Sequence, residues 1–280
     1  PAITSTQSGQ WTDPATWGGT VPTTTDNVVI AENTIVTVIN IIECSSLTIE
    51  APTAGPNLAG ELILDGADVT VPNGIDNDGK ISVIGDATID ADIDDSGEID
   101  WTDGNIDAPT GGTPKEIRVE SGGTLKVNPV SAEDHTITEM KIVIEDGATM
   151  ERNESGDQDI DAEVETKVSS NITALSTSSL TFKLAVDFLG SVDVISTYEG
   201  EVSGRATFLK EALFTSLSTL RPGTSPGCMT FDDGPTFEGK LVAEVDGTTA
   251  CTQYDQLSVT GTFDLSSSTD QLEVVFDPGY

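Results

Sequence analysis

The chain is poor in aromatic residues, in basic residues and in cysteine, and it has a single histidine. Aromatics are 5% of its 280 residues. A compact globular core leans on them, because each ring buries a large area. A stack of thin rungs built from Val, Ile, Leu and Ala manages with few. Only 12 Lys and Arg face 48 Asp and Glu, a formal net charge of −36. Such a surface repels phosphate backbones and anionic lipid headgroups, which argues against nucleic acid and membranes as partners. It attracts divalent cations and stays soluble in salt, where screening weakens self-repulsion. No run nears the ~20 apolar residues of a membrane span. No signal peptide is visible, and the polar opening Pro1-Ala2-Ile3-Thr4 suits a processed, mature start. His135 lies in Ala132-Glu133-Asp134-His135-Thr136 and reads as a surface residue. Cys44, Cys228 and Cys251 form no CxxC pair, which argues against zinc.

What is present is a repeat. Short alternating runs of β-formers are joined by a Gly- or Asp-containing turn. The copies are Leu62-Ile63-Leu64-Asp65-Gly66-Ala67-Asp68-Val69-Thr70-Val71, Ile81 to Ile89, Ile117 to Leu125 and Ile142 to Met150, with an imperfect relative from Val28 to Val38. Alternation with period two marks half-buried strands. The starts Ile63, Ile81, Ile117 and Ile142 advance by about one, two and one rungs of roughly twenty residues. The best helical window, Ala206 to Leu217, reads as strand nearly as well. The expected fold is all-β, a right-handed parallel β-helix (β-solenoid) over residues 1–165. A β-rich region follows over 166–280, for which a β-sandwich-like arrangement is the alternative.

Two segments carry a family resemblance. Ser8-Gly9-Gln10-Trp11-Thr12-Asp13-Pro14-Ala15-Thr16-Trp17-Gly18-Gly19 leads to Val21-Pro22 and Asp26-Asn27-Val28-Val29-Ile30. It resembles the opening of G8-type and related bacterial surface β-helix proteins. Trp11 and Trp17 suit either a cap on the open end of the column or a platform for stacking sugars. The second segment has Arg221-Pro222-Gly223-Thr224-Ser225-Pro226-Gly227-Cys228 and Gln253-Tyr254-Asp255-Gln256-Leu257-Ser258-Val259-Thr260-Gly261. It resembles the last rungs of autotransporter-like passenger repeats, whose chains usually run on past the Pro278-Gly279-Tyr280 seen here. Both resemblances imply an extracellular β-helix at a bacterial cell surface, adhesive or structural.

The stretch from Asp92 to Asp103 resembles EF-hand and dockerin calcium loops. Asp92, Asp94, Ser96, Glu98, Asp100 and Asp103 fall at positions one, three, five, seven, nine and twelve, with Gly97 at the sharp turn. Gly104, Pro109, Gly111 and Gly112 follow, so no exiting helix is expected. A poorer match surrounds Asp76-Asn77-Asp78-Gly79. Calcium is the expected cofactor. Cys228 and Cys251 are about one rung apart and could form a disulfide on adjacent rungs, leaving Cys44 free; three reduced cysteines are the alternative.

No Ser-His-Asp signature or phosphate loop appears, and carboxylate pairs arise by chance among 48 acids, so no catalysis is expected. The expected role is a secreted structural subunit of a bacterial surface filament, layer or stalk, stabilised by calcium. Its partner would be itself, end to end, through an uncapped Gln271 to Phe276 strand and a free Pro1 to Gly9 segment. The alternatives are an adhesin module that binds extracellular polysaccharide, and a polysaccharide lyase or hydrolase on a β-helix.

Overall fold

The structure, a computed structural model, describes residues 2–53, 56–111, 113–129, 135–174, 178–223 and 226–276. Strands make up 52% of the chain and form two long parallel sheets, of 21 and 12 strands, as a parallel β-solenoid requires. There is no α-helix among the described residues. The chain divides into two compact units, one of residues 1–143 and 147–151, the other of 144–146 and 152–280.

In the first unit the chain turns through three faces per rung, and each strand hydrogen-bonds in parallel to its counterpart one rung on. On one face Val36, Leu62, Ile81, Ile99, Leu125 and Met150 stack in register. On another, Val28, Leu47, Ile75, Ile93 and Ile117 do the same. All of these side chains are buried. Ile81 follows Leu62 after 19 residues and Ile99 follows Ile81 after 18, while Leu125 needs 26, the excess going into a longer corner.

The sequence repeat proves to be two different corners. Leu62 to Val71 and Ile81 to Ile89 are equivalent, with Ala87 stacked on Ala67. Ile117 to Leu125 and Ile142 to Met150 turn one face earlier. Both corners need an alternating strand, a tight turn and a second strand, so the same residue pattern serves each. At the earlier corner glycine is enforced by the neighbouring rung. A Cβ on Gly97 would lie 2.2 Å from the Gly79 carbonyl oxygen, and one on Gly79 2.5 Å from that of Gly60.

The first described strands of this unit are paired with the next rung. The strand Ala2–Thr4 pairs with Asn27–Ile30, and Gly9–Gln10 pairs with Ile35–Val38. The segment before Gly9 is therefore anchored, contrary to the expectation of a free arm.

The second unit repeats the three-faced plan. Val164, Val186, Val202, Leu220, Leu241 and Leu272 stack in register. The strand pairings described there are parallel, so a β-sandwich is not formed. The window Ala206 to Leu217 supplies strands Thr207–Phe208 and Ala212–Phe214. The core is not aliphatic here. Phe182, Tyr198, Phe214 and Phe237 form one column in register, and Phe188, Phe208 and Phe231 stand beside it. Neighbouring ring centroids in this cluster lie 4.7 to 6.3 Å apart, the range in which aromatic pairs add to simple burial.

Candidate interface and the central acidic rungs

The six expected calcium ligands lie on a strand, a corner and a second strand, Ile93–Asp95 and Glu98–Asp103, and they diverge. Asp92 Oδ1 accepts the Glu116 N–H at 3.0 Å. Asp94 points outward between Asp76 and Arg118, 3.7 Å from the Arg118 Nε. Ser96 donates to Asp78 Oδ1 at 2.5 Å. Glu98 is held by Lys80 at 3.1 Å and Lys126 at 2.7 Å, and Asp100 by Lys80 at 3.1 Å. Burial pushes the Glu98 carboxyl up, but Lys126 and Lys80 outweigh it and hold it below the usual range. Asp103 Oδ1 accepts from its neighbour Gly104 N–H and faces His135 Nε2 at 2.9 Å. Among the described residues no group of three or more His, Cys, Asp or Glu is placed to hold a metal. The divergence of these side chains has a physical cause. Strand alternation sends Asp94 outward, Lys80 and Lys126 pair with Glu98 and Asp100, and Gly97 sits against the neighbouring rung. His135 is buried at 8% exposure, not a surface residue; Ala132 to Asp134 lie outside the described residues.

The side chain that turns inward in this stretch is Asp95, which the calcium pattern passes over. It stacks on Asn77 within a column that otherwise runs Ile30, Ile49 and Val119. Both are fully buried, and Asn77 Nδ2 donates to Asp95 Oδ1 at 2.6 Å. Asn77 Oδ1 and Asp95 Oδ2 are buried without a partner.

Trp11 and Trp17 meet edge to face at 4.9 Å, and Trp17 Nε1 donates to the Trp11 carbonyl at 2.6 Å. At 4% and 5% exposure they offer no face to a sugar and instead close the first rung. The turn Pro14–Trp17 that carries Trp17 is capped by Asp13, whose Oδ1 accepts the Ala15 N–H at 2.9 Å.

The chain matches no protein-family model, no curated protein and no solved structure. The resemblances to G8-type openings, autotransporter-like rungs and dockerin loops therefore rest on the quoted residues alone. Thr224, Ser225 and the final Pro278 to Tyr280 of those motifs lie outside the described residues.

The last described strand is built differently from the rest. Gln271–Phe276 pairs in parallel with Lys240–Val245 and, among the described residues, with nothing else. Leu272, Val274, Val275 and Phe276 are 60%, 43%, 38% and 62% exposed, although Leu272 continues the buried Val164 to Leu241 column. The aromatic column also ends here, with half-buried Phe263 edge-on to Phe237 at 5.3 Å. The ground beneath is stiffened. Cys228 and Cys251 form a disulfide, with a Cα–Cα distance of 5.0 Å, and Cys44 is a buried free thiol. Asp255 accepts the Gly227 N–H at 2.7 Å and the Glu244 N–H at 2.8 Å.

Proposed function

We propose that the protein is an extracellular structural subunit that assembles through its last described rung. The observation that carries this reading is the apolar character of the strand Gln271–Phe276. Among the described residues it pairs with Lys240–Val245 alone and leaves Leu272, Val274 and Phe276 exposed. An exposed edge of this kind is a template for another strand. The Cys228–Cys251 bond suits an oxidising compartment, and the acidic surface suits salt-rich surroundings. Cations, calcium among them, would act in this reading as counter-ions to the charge of −36. The test is sedimentation of the purified chain in high salt against the variant carrying Leu272→Lys and Val274→Lys. The wild type should associate and the variant should stay monomeric. A monomeric wild type would end this reading.

A second reading, glycan binding, rests on a cleft of about 250 Å3 in the second unit. Its lining includes Glu201, Ser203, Arg221, Glu244 and Asp255, with Arg221 Nε donating to Glu201 at 2.9 Å. Retention on a glycan array that is lost in Arg221→Ala would favour it over assembly.

A further inference from the structure

We infer that the cleft of the second unit binds a saccharide through a free amino group, as on a de-N-acetylated glucosamine unit, with the ammonium held at Glu244 and Asp255. The inference rests on the reading of this cleft as a glycan site.

The shape of the cleft argues for a sugar ring. Val242, itself 1% exposed, and Pro222 give it an apolar side. The C–H face of a pyranose packs on such a surface, while its hydroxyls need a few placed polar groups. Ser203 and the Arg221–Glu201 pair supply them. The volume of about 250 Å3 is below the roughly 300–1,000 Å3 of sites for drug-sized ligands, so the cleft takes one sugar unit of a chain.

The charge argues for the amine. Arg221 is the only cation among the described lining residues, and Glu201 already accepts from it at 2.9 Å. Among the described residues no Lys or Arg pairs with Glu244 or Asp255. Asp255 spends both oxygens on the backbone, at Gly227 N–H and Glu244 N–H, which fixes its place. Glu244 keeps an oxygen, Oε2, that is buried without a hydrogen-bond partner. Such an acceptor is costly to leave unpaired, and a charged donor is its strongest partner. The Asp255 carboxyl reports the local field. Burial pushes it above its usual range, and the Glu244 and Asp246 charges add to the rise against the two backbone bonds. One ammonium relieves both carboxylates. A bare metal ion fits less well, because no group of three or more His, Cys, Asp or Glu among the described residues is placed to hold one. A uronate would be repelled, and an N-acetylated sugar brings no charge.

The experiment is titration calorimetry of the full chain in physiological salt, below neutral pH so that the amine is protonated. The probes are a fully de-N-acetylated glucosamine oligomer, its N-acetylated form and a lysine oligomer of equal charge. The amino oligomer should bind at least about tenfold more tightly than the other two, the worth of one charge-assisted hydrogen bond. Glu244→Gln should lose that margin, and Glu43→Gln, exposed in the first unit, should keep it. Equal binding of the amino and acetylated oligomers would overturn the inference and leave the glycan reading of the cleft standing. Binding of neither would overturn both. A lysine oligomer that binds as tightly as the amino oligomer, or a margin that Glu244→Gln keeps, would assign the attraction to the overall charge of −36 and overturn the inference. The three probes need no variant, so a misfolded Glu244 variant does not spare it.

Discussion

Asp95 is a carboxylate placed where a solenoid column is otherwise apolar, and its energetics can be read directly. Burial pushes its carboxyl up to about 7 from an ordinary 3.8, against the bonds from Asn77 and the Gly97 N–H, and the Glu98 and Glu120 charges add to the rise. Between about pH 4 and pH 7 the unfolded chain has therefore lost this proton while the folded chain keeps it. The contribution of Asp95 to stability falls across that window as pH rises, and levels off above it. A neutral Asp95 also carries a donor, which the buried Asn77 Oδ1 lacks. Asp95→Asn should thus raise the melting temperature at pH 8. The gain is worth up to a few kcal/mol, since each tenfold difference in proton affinity between folded and unfolded chain is worth about 1.4 kcal/mol. It should shrink as the pH approaches 4. Parallel melting-temperature curves for the two proteins between pH 4 and 8 would show that Asp95 does not titrate this way. The residue was legible only by comparing rungs. Ile75-Asp76-Asn77-Asp78-Gly79 and Ile93-Asp94-Asp95-Ser96-Gly97 share one pattern, and the structure stacks them in register. Read alone, the second copy resembles a calcium loop, because alternate acids before a glycine suit both a metal loop and a strand ending at a crowded corner. Read as a pair, they mark a corner.

At the scale of elements, strand alternation and turn chemistry were enough to show parallel rungs, since each strand carries its own burial pattern. They could not show which corner a copy occupies, because all corners use the same turn residues. The core of the second unit was hidden by averaging. All eight phenylalanines lie from Phe182 onward, while all three tryptophans lie at or before Trp101. The signal was a spacing of six, in Phe208 and Phe214 and again in Phe231 and Phe237, which puts one ring in each of two columns. Phe214 touches four rings, Tyr198, Phe208, Phe231 and Phe237. It is fully buried between neighbouring rungs that hydrogen-bond to its own strand. Such a site cannot collapse easily, because both neighbouring rungs are fixed in register. Phe214→Ala should therefore cost at the upper end of ring deletions, about 3–5 kcal/mol. Urea unfolding followed by circular dichroism measures it. A loss below about 1 kcal/mol would mean that the column does not carry the unit.

At the scale of the whole molecule the governing fact is charge. Parallel stacking sets equivalent positions of successive rungs about 4.8 Å apart, so an acidic position repeated on the next rung repels its copy. The chain relieves this where it can. Lys80 lies between Glu61 and Glu98 in the ladder, and Asp94 between Asp76 and Arg118. With 12 basic residues for 48 acids, most acidic positions have no such relief. Asp76 shows the strain, its carboxyl held above the usual range by burial, then by Asp78 and Asp94. Solution ions must supply the remaining screening, over a Debye length of about 10 Å at 0.1 M salt and about 3 Å at 1 M. The screening distance thus passes from beyond the rung spacing to below it as salt is added. The melting temperature should rise with sodium chloride over that range, and self-association should strengthen with it. Calcium should act in the same manner, more effectively at equal concentration because of its valence. Its effect should survive in the variant carrying Asp92→Ala and Asp94→Ala, because those side chains point apart and remove only two of many acids. Calorimetry of both proteins in matched sodium and calcium series decides the matter. A melting temperature indifferent to salt would refute the screening account. A calcium response that vanishes in the double variant, with the sodium response kept, would show a specific site at Asp92 and Asp94 after all.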